Sequence, residues 1–83
     1  MIVHICEKEQ IKYLYKRVDK RIERLIKKFW LGPLTIVAQK SLKLSDIVTA
    51  GLDTIAVRMP KNKIALKFIK LCGTPIAAPS ANK

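Results

Sequence analysis

Aromatic side chains are sparse, with one Trp, two Tyr and two Phe in 83 residues. With so few interleaved among the basic residues, the chain has no run of stacking platforms of the kind that grips single-stranded nucleic acid. Cysteine is equally scarce: Cys6 and Cys72 lie far apart in sequence and fit neither a zinc spacing nor a redox pair. Both are expected to be buried free thiols in a reducing setting. No stretch is long and apolar enough to span a bilayer, and the first residues show no basic region followed by an apolar core and a small-residue cleavage site. A cytoplasmic location with no membrane partner is the expectation. No internal repeat, low-complexity tract or Pro/Gly-rich linker divides the chain, so residues 1–83 read as one domain.

Basic charge is abundant. Seventeen Lys and Arg against six Asp and Glu give a formal net charge of +11, which raises the question of an acidic partner such as RNA, a nucleotide or a membrane surface. Thirteen of the seventeen are Lys and four are Arg. Lys is a solvated point charge, whereas Arg is the planar, bidentate reader of phosphates and bases. The balance therefore favours a mostly solvated surface over a dedicated nucleic-acid face. At this length the buried fraction is modest, and stability is expected to be marginal without a partner or further chain.

Periodicity divides the chain into alternating elements. Met1 to Ile5 is short, apolar and β-branched, hence a strand; Glu7 to Tyr15 reads as a weak helix with Ile11, Leu14 and Tyr15 on one side. Val18, Ile22, Leu25, Ile26 and Phe29 recur at helical spacing among Lys and Arg, which predicts an amphipathic helix ended by Gly32-Pro33. Leu34 to Ala38 reads as a strand, Lys40 to Asp46 as a polar loop, and Thr54 to Met59 as a strand closed by Pro60. Ile64, Ala65, Phe68, Leu71 and Cys72 suggest a second apolar helical stripe, with Gly73 as its C-cap before a last strand. Helices flanking a sheet make the class α/β or α+β.

Two places carry chemistry. Along Thr54 to Met59, period two puts Thr54, Ala56 and Arg58 on one face and Ile55, Val57 and Met59 on the other, so the second set suits a core and the first a cleft. An Arg on such a strand is costly to bury unpaired; it either meets a carboxylate such as Asp53 or waits for an anionic ligand. In Ala77-Ala78-Pro79-Ser80-Ala81-Asn82 the proline biases Ala78 toward extended backbone, so Ser80 and Asn82 would share a face and offer a hydroxyl and an amide to phosphate or carboxylate oxygens. His4 near a strand end and Trp30 beside Gly32-Pro33 read as structural on sequence alone, Trp30 as a core anchor.

Three segments carry a resemblance. Phe29-Trp30-Leu31-Gly32-Pro33-Leu34-Thr35, Val48 to Pro60 and Ala77 to Asn82 resemble, in order and spacing, the threonylcarbamoyl-adenylate synthase family of the bacterial YrdC and yeast Sua5 type. Ile2-Val3-His4-Ile5 matches the strand that follows the family's first active-site segment, and Cys6 to Lys28 match only generically. Leu31 departs from the family's usual Phe-Trp-Pro-Gly-Pro-Leu-Thr. The resemblance implies a twisted, open, mixed sheet flanked by helices, with a concave, positively charged active-site surface. It implies a reaction of L-threonine, bicarbonate and ATP, with Mg2+, giving threonylcarbamoyl-AMP and pyrophosphate. The product would pass to a second enzyme system that modifies tRNA; direct binding of tRNA or double-stranded RNA is a further possibility. By position, Arg58, His4 and the Ala78 main chain would contact threonine, Arg58 as the catalytic residue, and Thr54, Ser80 and Asn82 the nucleotide. The family carries a Lys-x-Arg motif before its Ile-Val-His strand and continues beyond its Ser-x-Asn, so a truncated or internal fragment is expected. The competing readings are a basic RNA-binding module of the same fold, a carbamoyl-transfer domain using carbamoyl phosphate, and a degraded copy that does not fold alone.

Overall fold

Alternation decides the central strand. Ile55, Val57 and Met59 are almost fully buried while Thr54 is exposed and Ala56 and Arg58 are half-buried, so one face of the strand is core and the other open. The computed structural model describes residues 2–45, 47 and 49–78. Its strands are β1 (Ile2–His4), β2 (Ile36–Gln39), β3 (Thr54–Arg58) and β4 (Ile76–Ala78), in the spatial order β2-β3-β1-β4. β1 runs parallel to β3, whereas β2 is antiparallel to β3 and β4 antiparallel to β1. The sheet is therefore mixed and open, and the class is α/β, as expected. Val3 and Ile36 both register with Val57, which aligns three buried side chains across the core face.

Three helices complete the described residues. A 3₁₀ turn at Lys8–Gln10 leads into α1 (Ile11–Leu14). The Gln10 side-chain oxygen accepts from the Cys6 and Glu7 main-chain N–H at 2.9 and 3.1 Å, so the amide side chain nucleates this turn. Tyr15 leaves the helix in extended backbone, pairs with Lys40 and donates its hydroxyl to the Ile36 carbonyl at 2.7 Å. Burial pushes its phenol well above the ordinary value, so it stays a neutral donor. α2 (Lys20–Phe29) starts at Asp19, whose carboxylate accepts from the Ile22 N–H at 3.0 Å; that bond holds its pKa down. Ile22 and Ile26, four residues apart, enter the core, whereas Leu25 and Phe29 from the expected stripe are exposed and Val18 is half-buried. α3 (Lys63–Cys72) is capped by Asn62, whose Oδ1 accepts from the N–H of Ile64 and Ala65, and is closed by Gly73 at φ 73°.

Several expectations need correction. The stripe read on α3 is out of phase: Ile69 is the buried residue and Leu66 packs on the core, while Ile64, Phe68, Leu71 and Cys72 are exposed. α3 carries apolar residues nearly all round, so periodicity alone does not choose the face. The thiols are not buried, Cys6 being half-exposed and Cys72 exposed. β2 lies two residues later than its predicted start, because the Leu34 carbonyl is taken by the Trp30 indole N–H at 3.1 Å and closes the preceding loop. Trp30 itself is buried, as its reading as a core anchor requires. No described helix is long and apolar enough to cross a membrane.

Candidate active site

Two strands that run parallel bring their carboxyl ends together, and the last residues of these two are His4 and Arg58, which register directly with each other. Ile76, the first residue of β4, registers with His4 from the other side. The chain then turns through the buried Pro60 into α3, which stands beside this end of the sheet. His4, Arg58, Asn62, Phe68 and Ile76 together line a cavity of about 630 Å³. It has a polar floor and a largely apolar wall.

Arg58 is held by one edge. Its Nε–H donates to the Gly32 carbonyl at 3.0 Å, and the Gly32 N–H donates to the Met59 carbonyl at 3.1 Å, so the 30–33 loop braces the end of β3 on two bonds. Gly32 is buried, and a Cβ there would lie 3.1 Å from the Phe29 carbonyl, so any larger residue would crowd this close approach. Among the described residues, Arg58 thus keeps the four N–H groups of its terminal nitrogens for a ligand or water. Asp53, the carboxylate named for it from sequence, forms no ion pair with it. The single ion pair among the described residues is Arg21–Asp19 at 3.4 Å.

Burial, then the charge of Arg58, pushes the His4 pKa below its ordinary value, so the imidazole is neutral near pH 7. A fixed cation beside a neutral ring that both donates and accepts suits a small anion, a carboxylate in particular. The remaining predicted residues stand apart from this cavity. Thr54 is exposed at the opposite end of β3, and Ala78 pairs with Ile2 at the opposite end of β4. Thr54, Ala56 and Arg58 nevertheless share the open face, as period two predicts. Ser80 and Asn82 lie outside the described residues. Sequence reasoning missed the Gly32 brace, a contact across 26 positions with no local signal, and the cavity-lining roles of Asn62, Phe68 and Ile76. Only Phe68, an exposed aromatic beside a polar floor, carries a hint of such a role, and its helical spacing pointed instead to the core.

An open mixed sheet with an arginine and a neutral histidine side by side at the carboxyl ends of its parallel strands defines an α/β protein with a cleft chemically suited to an anion. The Sua5, YciO and YrdC family, described as "Telomere recombination", matches residues 1–83, and the chain belongs to it. The threonylcarbamoyl-AMP synthase of Pyrococcus abyssi is 52% identical over 82 residues, covering 99% of this chain and 24% of that protein. The threonylcarbamoyl-AMP synthase of Bacillus subtilis is 46% identical over 83 residues, with the same coverage of 99% and 24%. The crystal structure of P. abyssi Sua5 complexed with L-threonine superposes with a TM-score of 0.90 at 53% identity, over 98% of this chain and 24% of that one. The chain spans about a quarter of the length of these relatives.

Proposed function

We propose that this chain supplies the threonine-recognising part of a threonylcarbamoyl-AMP synthase site. The observation that carries the reading is the Arg58–His4 pair in one cavity with no carboxylate bound to the guanidinium among the described residues, in a chain 52% identical to such a synthase. Threonine's carboxylate sits on the free N–H groups of Arg58, neutral His4 bonds the same molecule, and the Ala78 main chain contacts it further along the sheet. Thr54, Ser80 and Asn82 seat the ATP polyphosphate. Thr54 is four residues from Arg58, about 13 Å along the strand at ~3.3 Å per residue, so the line from amino acid to nucleotide runs along the open face of β3.

The chemistry joins anions. The threonine amine attacks bicarbonate and water leaves, giving a carbamate; a carbamate oxygen then attacks the α-phosphorus of ATP and pyrophosphate leaves, with no redox change. The attacking carbamate is already an anion, so this last step needs no base. What it needs is in-line positioning and cationic relief of repulsion, and Arg58 provides the part of this that lies at the threonine end. The described residues hold no cluster of three or more His, Cys, Asp or Glu that could hold a metal ion. Mg2+, as the counterion of the ATP polyphosphate, would be held on phosphate oxygens and water. The product is a labile carbamic–phosphoric mixed anhydride, and the consumer this reading assigns to it is a tRNA-modifying transferase in the cytoplasm.

Grafting tests the reading without asking whether 83 residues suffice. Replacing the matching 82 residues of the P. abyssi synthase by this chain should leave threonine- and bicarbonate-dependent pyrophosphate release intact, and Arg58→Ala in the graft should abolish it. A folded but inactive graft overturns the reading. A second reading, a basic RNA-binding module, draws on Lys20, Arg21, Arg24, Lys27 and Lys28, all exposed on α2. It predicts steeply salt-dependent RNA binding that is indifferent to Arg58→Ala.

A further inference from the structure

A different part of the molecule, the outer edge of β2, carries an inference independent of the threonine site. Residues of an antiparallel strand alternate between bonding inward and outward. The Lys40 N–H donates inward to the Asp53 carbonyl at 2.8 Å, while the Gln39 carbonyl accepts from the Lys16 N–H at 2.8 Å from outside. Val37, two residues before Gln39, turns its main chain outward in the same way, and β2 is an edge strand with no described strand beyond it. After Lys16 the chain veers off toward α2, which opens a wedge of about 620 Å³ between the start of that helix and the strand. Val37 offers an exposed apolar side chain on the open face of the strand, and Leu25, Lys16, Arg17 and Arg21 stand exposed around the wedge. Asp19, the one acid there, is already engaged by the Ile22 N–H and Arg21.

We propose that this edge receives an extended polypeptide segment in which acidic and aliphatic residues alternate, pairing its main chain with Val37. Period two places the aliphatic side chains of such a segment beside Val37 on the open face and turns its acids the other way, toward the basic residues at the start of α2. A second copy of this chain does not suit the edge, because both copies carry the same basic residues there at a net charge of +11. Nucleic acid fits less well, because no aromatic side chain lines the wedge to stack a base.

The probe is the capped heptapeptide Glu-Val-Glu-Ile-Glu-Val-Glu, titrated at low salt into the ¹⁵N-labelled full chain. Saturable shifts of the Val37 and Gln39 amides are expected. A peptide N-methylated at alternate residues, which keeps the charge and removes the pairing, should bind at least tenfold more weakly, and so should the original peptide with the Arg17→Glu/Arg21→Glu variant, whose changes are at exposed positions. Equal affinity for the methylated peptide, shifts confined to other surfaces, no binding at about 1 mM, or tighter binding of octauridylate at these same amides would each overturn the proposal.

Discussion

Arg58 is the residue on which the reading turns, and its surroundings separate its charge from its shape. Lysine keeps the charge but has neither the Nε–H that meets the Gly32 carbonyl nor a planar fork for a carboxylate. Arg58→Lys should therefore weaken L-threonine binding at least tenfold and, by losing the Gly32 bond, lower the unfolding free energy by roughly 1.5–3 kcal/mol. Calorimetric titration and urea unfolding on the same sample check both halves. A charge-assisted hydrogen bond contributes roughly 1.5–3 kcal/mol, so Arg58→Ala should cost about one to two powers of ten in affinity. His4 titrates below 6.5 in the folded chain, so on acidification the unfolded chain takes up the proton first. Its contribution to stability is complete above about pH 7 and is lost as pH falls from 6.5 toward the lower folded value. The wild-type urea midpoint should drop over that interval more than the midpoint of His4→Gln. Equal slopes would mean that the ring is not held neutral.

At the scale of elements, β3 was legible and α3 was not, for one physical reason. β3 alternates strictly, and a period of two admits one choice of buried face: Ile55 and Val57 go in, Thr54 and Arg58 stay out. α3 offers Ile64, Leu66, Phe68, Ile69 and Leu71, enough apolar residues to support more than one stripe; Leu66 is the one that packs on the core cluster, and Ile69 is buried in the wall of the His4–Arg58 cavity. The C-terminal end of α3 was easier to read, since Gly73 at a positive φ closes it as its position predicts. The N-cap is open to test. Asn62→Ala removes the acceptor for two N–H groups and should destabilise the chain by about 1 kcal/mol, whereas Asn62→Asp should restore it. Because Asn62 also lines the cavity, the alanine variant should lose threonine affinity as well, measured by the same titration.

Across the whole molecule, sequence pattern alone does not bring the site together. His4 and Arg58 meet because β1 and β3 run parallel with His4 and Arg58 in register. Neither periodicity nor composition encodes that pairing; the resemblance to a family implies only that both residues lie on the threonine side. The Gly32 brace is non-local in the same way. The net charge of +11 is spread over a chain whose one described ion pair is exposed, so self-repulsion is weakly compensated. Raising NaCl from about 50 to 500 mM should move the thermal midpoint upward by several degrees; an unchanged midpoint would mean that the charges are already far enough apart to ignore one another.

The central claim is that the cavity at His4 and Arg58 recognises threonine, and an L-threonine titration of the ¹⁵N-labelled chain, followed at its His4 and Arg58 amides and repeated with Arg58→Ala, tests it most directly. The account predicts saturable shifts centred on these two residues and Ile76, lost in the variant. No shift in a folded chain at about 10 mM L-threonine, or shifts that survive Arg58→Ala, would contradict it.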